Sequence, residues 1–132
     1  MEWKYYKINN TKSITLKSTY ANQYAAAGEK TLIDNLRGQK NYRTGNWQGY
    51  REDLIAVIDL GEKKEVSNIS LGCLQDIKSW IFFPKKVTYF GSSNAKDFTL
   101  LGEINTTFSD SLEGSFINNY SLNISNTKLQ YI

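Results

Sequence analysis

The sequence contains no histidine and a single cysteine, Cys73, among its 132 residues. A tetrahedral zinc site needs several histidines or cysteines, and the serine and cysteine hydrolase triads need a histidine base. The sequence therefore excludes these sites, together with an imidazole that titrates near neutral pH. An internal disulfide is excluded because Cys73 has no second cysteine to pair with. Carboxylate chemistry and oxygen-coordinated metals such as calcium stay open.

Long apolar runs and concentrated basic charge are missing as well. No run approaches the roughly 18 apolar residues that span a bilayer, so no membrane span is predicted. The first residues, MEWKYYKINN, lack the apolar centre of a signal peptide. The 16 Lys and Arg against 13 Asp and Glu give a net charge of +3. Because the basic residues are scattered, the sequence does not predict a nucleic-acid-binding surface.

Aromatic residues are abundant by contrast, at 14% of the chain with 9 Tyr and 3 Trp. Together with many asparagines, they suit a module that recognises polar ligands with flat faces. Aromatic side chains also fill the cores of β-sandwiches, so composition leaves both interpretations open for any one ring. The length predicts a single domain over residues 1–132.

Short β-branched or aromatic segments bounded by Gly, Asn, Ser or Asp recur along the chain. The predicted strands are KSITLKS, LIAVIDL, VSNISLGCL, KKVTYFGSS, FTLLGEI, SFINNYSLNI and KLQYI. A tight connection is expected at residues 61–63, between the second and the third. Much of residues 20–53 is a long polar loop, of the kind that binds a ligand or is held by a metal. The pattern predicts an all-β sandwich of about eight antiparallel strands.

One stretch departs from the strand pattern: LGCLQDIKSWIFFPKKVTYF, residues 71–90. Trp80, Ile81, Phe82 and Phe83 follow one another without the alternation of a half-buried strand. Such a run is either a fully buried strand or a loop whose aromatic groups face something other than water.

Three segments, in order, resemble the F5/8 type C, or discoidin, domain: TLIDNLRGQKNYRTGNWQGY, LIAVIDLGEKKEVSNISLG and FFPKKVTYFGSSNAKDFTLLGEI. Within that family, LIDNLRG, NWQGY and LQDIKSWIFFPKKV look like the domain at the C-terminal end of Bacteroidetes family 20 β-hexosaminidases, or chitobiases. That domain is similar to family 32 carbohydrate-binding modules. The resemblance covers about residues 20–132. It implies a jelly-roll β-sandwich, often with a structural calcium, that recognises glycans through loops at one end.

The resemblance also implies a calcium site. Asp34 stands where the family has its calcium-binding aspartate, and backbone oxygens near Leu36 and Thr44 would complete the ligand set. The alternative is that Asp34 caps a turn. The family pattern continues beyond KLQYI into a further loop and a closing strand. We therefore expect either that the chain as given stops short of that strand after Ile132, or that residues 1–8 supply it.

The same resemblance implies a position for the aromatic stretch: DIKSWIFF would form a loop at one end of the sandwich. There Trp80 and Phe82 would offer stacking faces, and Gln75 and Asp76 hydrogen-bonding groups, so a sugar site is predicted. The alternative is an apolar plug that caps the core or docks onto the catalytic domain of the same polypeptide.

Arg43 and Tyr50 flank the long early loop and are further sugar-binding candidates, because a guanidinium or a phenol can donate to sugar hydroxyls. Trp47 is predicted to pack under that loop, whereas nothing in the sequence assigns Trp3. No pair of carboxylates is marked by its surroundings as glycoside hydrolysis would need, so catalysis is not predicted.

The functional hypothesis is a non-catalytic carbohydrate-binding module. It would target an attached glycoside hydrolase of the β-hexosaminidase or chitobiase type to galactose- or N-acetylhexosamine-containing glycans. The family implies a secreted, periplasmic or cell-surface location. The alternative is a structural or protein-interaction domain that packs against the catalytic domain without binding sugar.

Overall fold

A computed structural model describes residues 13–33 and 38–132. This part of the chain forms five strands: β1 (Ser13–Leu16), β2 (Ala56–Asp76), β3 (Lys86–Gly91), β4 (Thr99–Asn105) and β5 (Ser115–Tyr131). Short 3-10 turns occupy Asn22–Tyr24, Gly28–Ile33, Tyr42–Thr44 and Ile77–Ser79. None of the described helical turns has the length and apolar character needed to cross a membrane. The all-β prediction is confirmed.

The strands form two antiparallel sheets, one in the order β1-β2-β5 and the other made of β3 and β4. Ser92, directly after β3, connects them. Its N–H donates to the Tyr131 carbonyl at 2.9 Å, and its own carbonyl accepts from the N–H groups of Gln130 and Tyr131 at 3.0 Å each. The end of β5 therefore holds the two sheets together.

The connection expected at residues 61–63 does not reverse the chain. β2 runs through it, and the pairing with β5 jumps from Asp59–Tyr131 to Lys64–Leu129, which leaves a bulge in β2. Gly61 takes a left-handed φ of 87° there. Its N–H donates to Asp59 Oδ1 at 2.8 Å. A bulge admits extra residues while both strands continue, so LIAVIDL and VSNISLGCL merge into β2. A second register shift, from Val66–Thr127 to Asn68–Asn123, lies where SFINNYSLNI and KLQYI merge into β5.

The core lies between the inner face of the β2–β5 ribbon and the β3–β4 hairpin. Its buried apolar and aromatic side chains are Leu60, Leu74, Phe83, Tyr89, Tyr120 and Leu129. Gly102 of β4 lets the sheets approach closely, because a Cβ at that position would lie 2.8 Å from a methyl group of Leu122. Burial of these side chains removes apolar surface from water and stabilises the sandwich.

Tyr120 is completely buried and joins the core to the loops at one end of the sandwich. Its carbonyl accepts from the Tyr89 hydroxyl at 2.6 Å. Its own hydroxyl meets Thr106 Oγ1 at 2.6 Å, while Thr106 donates to the carbonyl of Pro84. These buried polar groups are all satisfied, as the interior of a protein requires.

Alkaline pH is expected to destabilise the fold through Cys73. Burial raises the pKa of the Cys73 thiol from 9.0 to about 12. Well below pH 9 the thiol is neutral in both states. As the pH rises through 9 the thiol ionises in the unfolded chain but not in the folded one, so stability falls between about pH 9 and about pH 12. We expect the free energy of unfolding, measured in urea, to fall by about 1 kcal/mol between about pH 8 and pH 10. Cys73→Val should remove most of that fall; an equal fall in the variant would contradict the assignment.

Candidate functional site

The loop that follows β2, residues 76–84, is called the Trp80 loop. Two backbone hydrogen bonds close it: the Asp76 N–H donates to the Ile81 carbonyl at 2.9 Å, and the Ile81 N–H to the Asp76 carbonyl at 3.1 Å. Between them the chain makes the 3-10 turn Ile77–Ser79, and the Trp80 N–H donates to the Ile77 carbonyl at 3.0 Å. The backbone that carries Trp80 is therefore held in a tight turn.

Trp80 itself adopts a left-handed conformation, with φ 60° and ψ 34°. For a residue with a bulky side chain this costs roughly 1–2 kcal/mol. Strain of this kind persists where the surrounding contacts enforce it, and it is frequent at functional sites.

The Trp80 side chain is 84% exposed, and the neighbouring Phe82 is 46% exposed. The two rings meet edge to face, with centroids 6.4 Å apart and an angle of 67° between the planes. Tryptophan and phenylalanine usually gain stability by burial. Here the fold keeps both rings in water beside each other, so their faces are open to a ligand.

Gln75 lies beneath the loop and is only 1% exposed. Its Nε2 donates to the Ser109 carbonyl at 2.9 Å, and its Oε1 accepts from the Phe83 N–H at 3.3 Å. Both ends of the amide are thus bound to the backbone. The sequence predicted that this amide faces a sugar, whereas the structure uses it to tie the Trp80 loop to the facing loop, residues 106–114.

An aromatic cluster supports the same two loops from below. Phe83 packs against Phe108 with ring centroids 5.1 Å apart and against Tyr120 at 6.2 Å. Phe108 in turn packs against Phe116 at 6.0 Å. The aromatic residues of this run therefore differ in burial: Phe83 lies in the core, whereas Trp80 and Phe82 are exposed.

Polar groups accompany the exposed rings. Asp76 Oδ2 accepts a hydrogen bond from the Ser115 hydroxyl at 3.2 Å. Lys78 Nζ lies 3.7 Å from Glu113 Oε2, and both side chains are largely exposed. An exposed ion pair of this kind contributes little stability, so its partners can exchange it for hydrogen bonds to a ligand.

Arg43, the next predicted sugar-binding residue, lies in the 3-10 turn Tyr42–Thr44. Its guanidinium carbon is 4.7 Å from the centroid of the Tyr42 ring. Tyr42 in turn meets Tyr24 edge to face at 6.0 Å. Among the described residues, no hydrogen bond or ring contact connects Arg43 with the Trp80 loop.

Tyr50 belongs to the same early part of the chain. It pairs with Tyr20 through an isolated antiparallel bridge, and its hydroxyl donates to Gln48 Oε1 at 2.6 Å. Burial, and then the proximity of Tyr20, raises the pKa of Tyr50. The structure therefore divides the predicted sugar-binding residues into two groups, one at the Trp80 loop and one before β2.

The long early loop is ordered by its own hydrogen bonds where the structure describes it. The Ala21 N–H donates to the Gly49 carbonyl at 2.7 Å, and the Gly49 N–H to the Tyr24 carbonyl at 3.0 Å. Gln48 Nε2 donates to the carbonyls of Ala25 and Gly28 at 3.2 and 2.8 Å. These bonds tie the two sides of the loop to each other.

The structure describes only one of the three residues of the predicted calcium site. Asp34 and Leu36 lie outside the described residues, while Thr44 ends the 3-10 turn Tyr42–Thr44. Residues 13–33 and 38–132 contain no group of three or more His, Cys, Asp or Glu side chains that could hold a metal. Calcium binding through Asp34 stays a prediction.

The other two tryptophans differ in their position. Trp47 is half-buried, and its Nε1 donates to the Gln39 carbonyl at 2.7 Å. Its ring lies against Gly38, so closely that a Cβ there would overlap it. Trp47 thus packs on the backbone of the long loop, whereas Trp3 lies outside the described residues.

The structure also contains a depression that the sequence did not indicate. It has a volume of about 300 Å³ and is lined by Thr19, Tyr20, Ala21, Asn22, Gln23 and Arg51. Arg51 directly follows the predicted Tyr50, but no pattern in the sequence joins it to residues 19–23.

No protein-family model and no curated protein matches the chain. Solved structures do match it. CpGH89CBM32-5 from Clostridium perfringens, in complex with GalNAc-β-1,3-galactose, has a TM-score of 0.55 and 18% sequence identity, covering 94% of this chain and 82% of that one. The C-terminal domain of a chitobiase from Bacteroides fragilis has a TM-score of 0.55 and 15% identity, covering 94% and 79%. The chain therefore has the β-sandwich fold of these domains, as the resemblance implied.

Proposed function

We propose that this chain is a non-catalytic carbohydrate-binding module of a glycoside hydrolase, and that it binds glycan at the Trp80 loop. The observation that carries the proposal is Trp80, which is 84% exposed on a backbone held by the Asp76–Ile81 hydrogen bonds. The fold supports the proposal, since one structural neighbour is solved with a disaccharide and another is a chitobiase domain.

Binding would combine stacking with hydrogen bonds. A pyranose has an apolar face of C–H groups that can lie on the exposed indole, with Phe82 edge-on beside it. Asp76, Lys78 and Glu113 are close along the same two loops and would bind hydroxyl groups at the rim. A single open site of this kind binds weakly, and linkage to an enzyme with its own glycan contacts raises the effective affinity.

Galactose- and N-acetylhexosamine-containing glycans are the proposed ligands, and the proposed parent is an enzyme of the β-hexosaminidase or chitobiase type. Both follow from the sequence resemblance together with what the two structural neighbours bind or belong to. A secreted, periplasmic or cell-surface location is part of the same proposal, because the family resemblance implies it.

The competing function is a domain that docks on the catalytic domain and binds no sugar. It is favoured by the exposed apolar residues of the two loops, namely Trp80, Phe82 and Leu112, which is 43% exposed. A protein interface would bury all three together.

Tryptophan fluorescence during sugar titration separates the two functions. We expect a saturable change with galactose, N-acetylglucosamine or N-acetylgalactosamine, with a dissociation constant on the order of 1 mM. Mannitol, an acyclic polyol without a ring face, is the control and should give no saturable change. Parallel titrations with calcium and with a chelator test the predicted calcium. If the fluorescence of the folded protein does not change with any of the three sugars, the result would favour a domain that docks on the catalytic domain without binding sugar.

A further inference from the structure

The depression before β2 differs from the Trp80 loop in position and chemistry. It lies between the segment after β1 and the segment that precedes β2, whereas Trp80 lies in the loop after β2. The residues that line it carry one guanidinium, two carboxamides and two hydroxyls, from Arg51, Asn22, Gln23, Thr19 and Tyr20. We call it the Arg51 pocket.

Its walls are held in place before any ligand arrives. The Thr19 N–H donates to Glu52 Oε1 at 2.6 Å. On either side of that bond, the Ile55 N–H donates to Ser18 Oγ at 2.7 Å and the Tyr20–Tyr50 bridge pairs the two segments. A ligand that enters such a preformed cleft does not have to order the segments that surround it.

The polar side chains of the pocket are available to a ligand. The side chains of Arg51, Asn22 and Gln23 make no hydrogen bond or ion pair with a described residue. A guanidinium offers only donors, and each carboxamide offers an NH₂ group beside its single oxygen. These three side chains together carry more hydrogen-bond donors than acceptors, which matches a ligand rich in acceptors.

The charges nearby set the manner of binding. Glu52 and Asp53 follow Arg51 in the chain, and the Glu52 carboxylate is already bound to the Thr19 N–H. Because the negative charges of Glu52 and Asp53 offset the positive charge of Arg51 at longer range, the pocket attracts a distant anion only weakly. The binding free energy of an anion would instead come from direct contact, since the planar guanidinium can donate two parallel hydrogen bonds to a carboxylate or sulfate.

We infer that the Arg51 pocket binds the anionic group of an acidic sugar, with Arg51 on the carboxylate or sulfate and Asn22 and Gln23 on neighbouring oxygens. A volume of about 300 Å³ accommodates a single sugar residue. This second site goes beyond the proposed function and does not depend on Trp80. Linked to the Trp80 loop, it would direct the domain to glycans that carry both neutral and acidic sugars.

The test is backbone amide NMR during titration of the folded chain with four probes: galacturonic acid, N-acetylneuraminic acid, galactose 6-sulfate and galactose. We expect an acidic probe to shift the amides of residues 19–23 and 51 with a dissociation constant of about 1 mM. Galactose should leave those amides unshifted. Comparison of the carboxylate probes with the sulfate probe identifies which anion the pocket takes.

Arg51→Gln should weaken binding of the acidic probe about tenfold or more, because it removes the charge and the paired donors. Arg51→Lys keeps the charge but loses the planar fork, so an intermediate loss is expected. Lys96→Gln is the charge-matched control on an exposed loop, and the acidic probe should shift its pocket amides as in the parent chain.

Three results would overturn the inference: no shift of the pocket amides with any acidic probe, equal shifts with galactose, or unchanged affinity in folded Arg51→Gln. Failure of the Trp80 site would appear separately, as loss of the response to neutral sugars while the acidic probes still shift residues 19–23 and 51.

Discussion

Replacement of Trp80 by alanine is expected to weaken binding of neutral glycan about tenfold or more, which corresponds to about 1.4 kcal/mol, while the fold stays intact. The indole is 84% exposed, so its removal takes little apolar surface out of the core. The loop backbone keeps its shape through the Asp76–Ile81 hydrogen bonds. Titration calorimetry or fluorescence with the best sugar measures the loss, and circular dichroism checks the fold.

A second substitution distinguishes the ring from the backbone. Trp80→Gly also removes the ring, but glycine adopts the left-handed conformation at φ 60° without steric cost. We therefore expect the glycine variant to be more stable than the alanine variant by up to about 1 kcal/mol, with equally poor glycan binding. Phe98→Ala, which truncates another partly exposed ring outside the two loops, is the control and should bind glycan normally. Normal binding by both Trp80 variants would rule out the proposed site.

Gln75→Leu is expected to lower the free energy of unfolding by about 3 kcal/mol. The substitution leaves the Ser109 carbonyl and the Phe83 N–H without their side-chain partner in the interior. Loss of these bonds also releases the Trp80 loop from the facing loop. Glycan affinity should therefore fall even though Gln75 is too buried to touch the ligand.

Urea unfolding of Gln75→Leu gives the stability change, and Gln39→Leu is its matched control. Gln39 is exposed, so its replacement should change stability by less than about 0.5 kcal/mol. A Gln75→Leu protein that unfolds at the same urea concentration as the parent would mean that the two loops are held together without this amide.

The two substitutions separate direct contact from support. Trp80 variants should bind sugar poorly at unchanged or slightly raised stability, whereas Gln75→Leu should lose both stability and affinity. The sequence groups Trp80, Phe82, Gln75 and Asp76 as one set of ligand contacts. Tertiary structure divides the set, because the exposed rings can meet a ligand while the buried amide can only position them.

The residue types of this chain rule out several kinds of site within it, and their pattern predicts the class of its fold. Absence of histidine and of a cysteine pair excludes whole families of catalytic and metal sites. Alternation in segments such as KSITLKS predicts β-strands because side chains in a strand point to opposite faces in turn. That rule is local, so it holds without knowledge of what each strand pairs with.

Tertiary structure alone decided how the strands join and which side chains reach the surface. The bulge at Gly61 depends on β5 pairing with both halves of β2, a contact made across many residues. Trp80 and Phe83 are similar in hydrophobicity and three positions apart, yet a left-handed turn exposes one while the aromatic cluster buries the other. The Arg51 pocket brings residue 51 to residues 19–23. In each case the outcome depends on contacts between distant segments, which local sequence patterns do not encode.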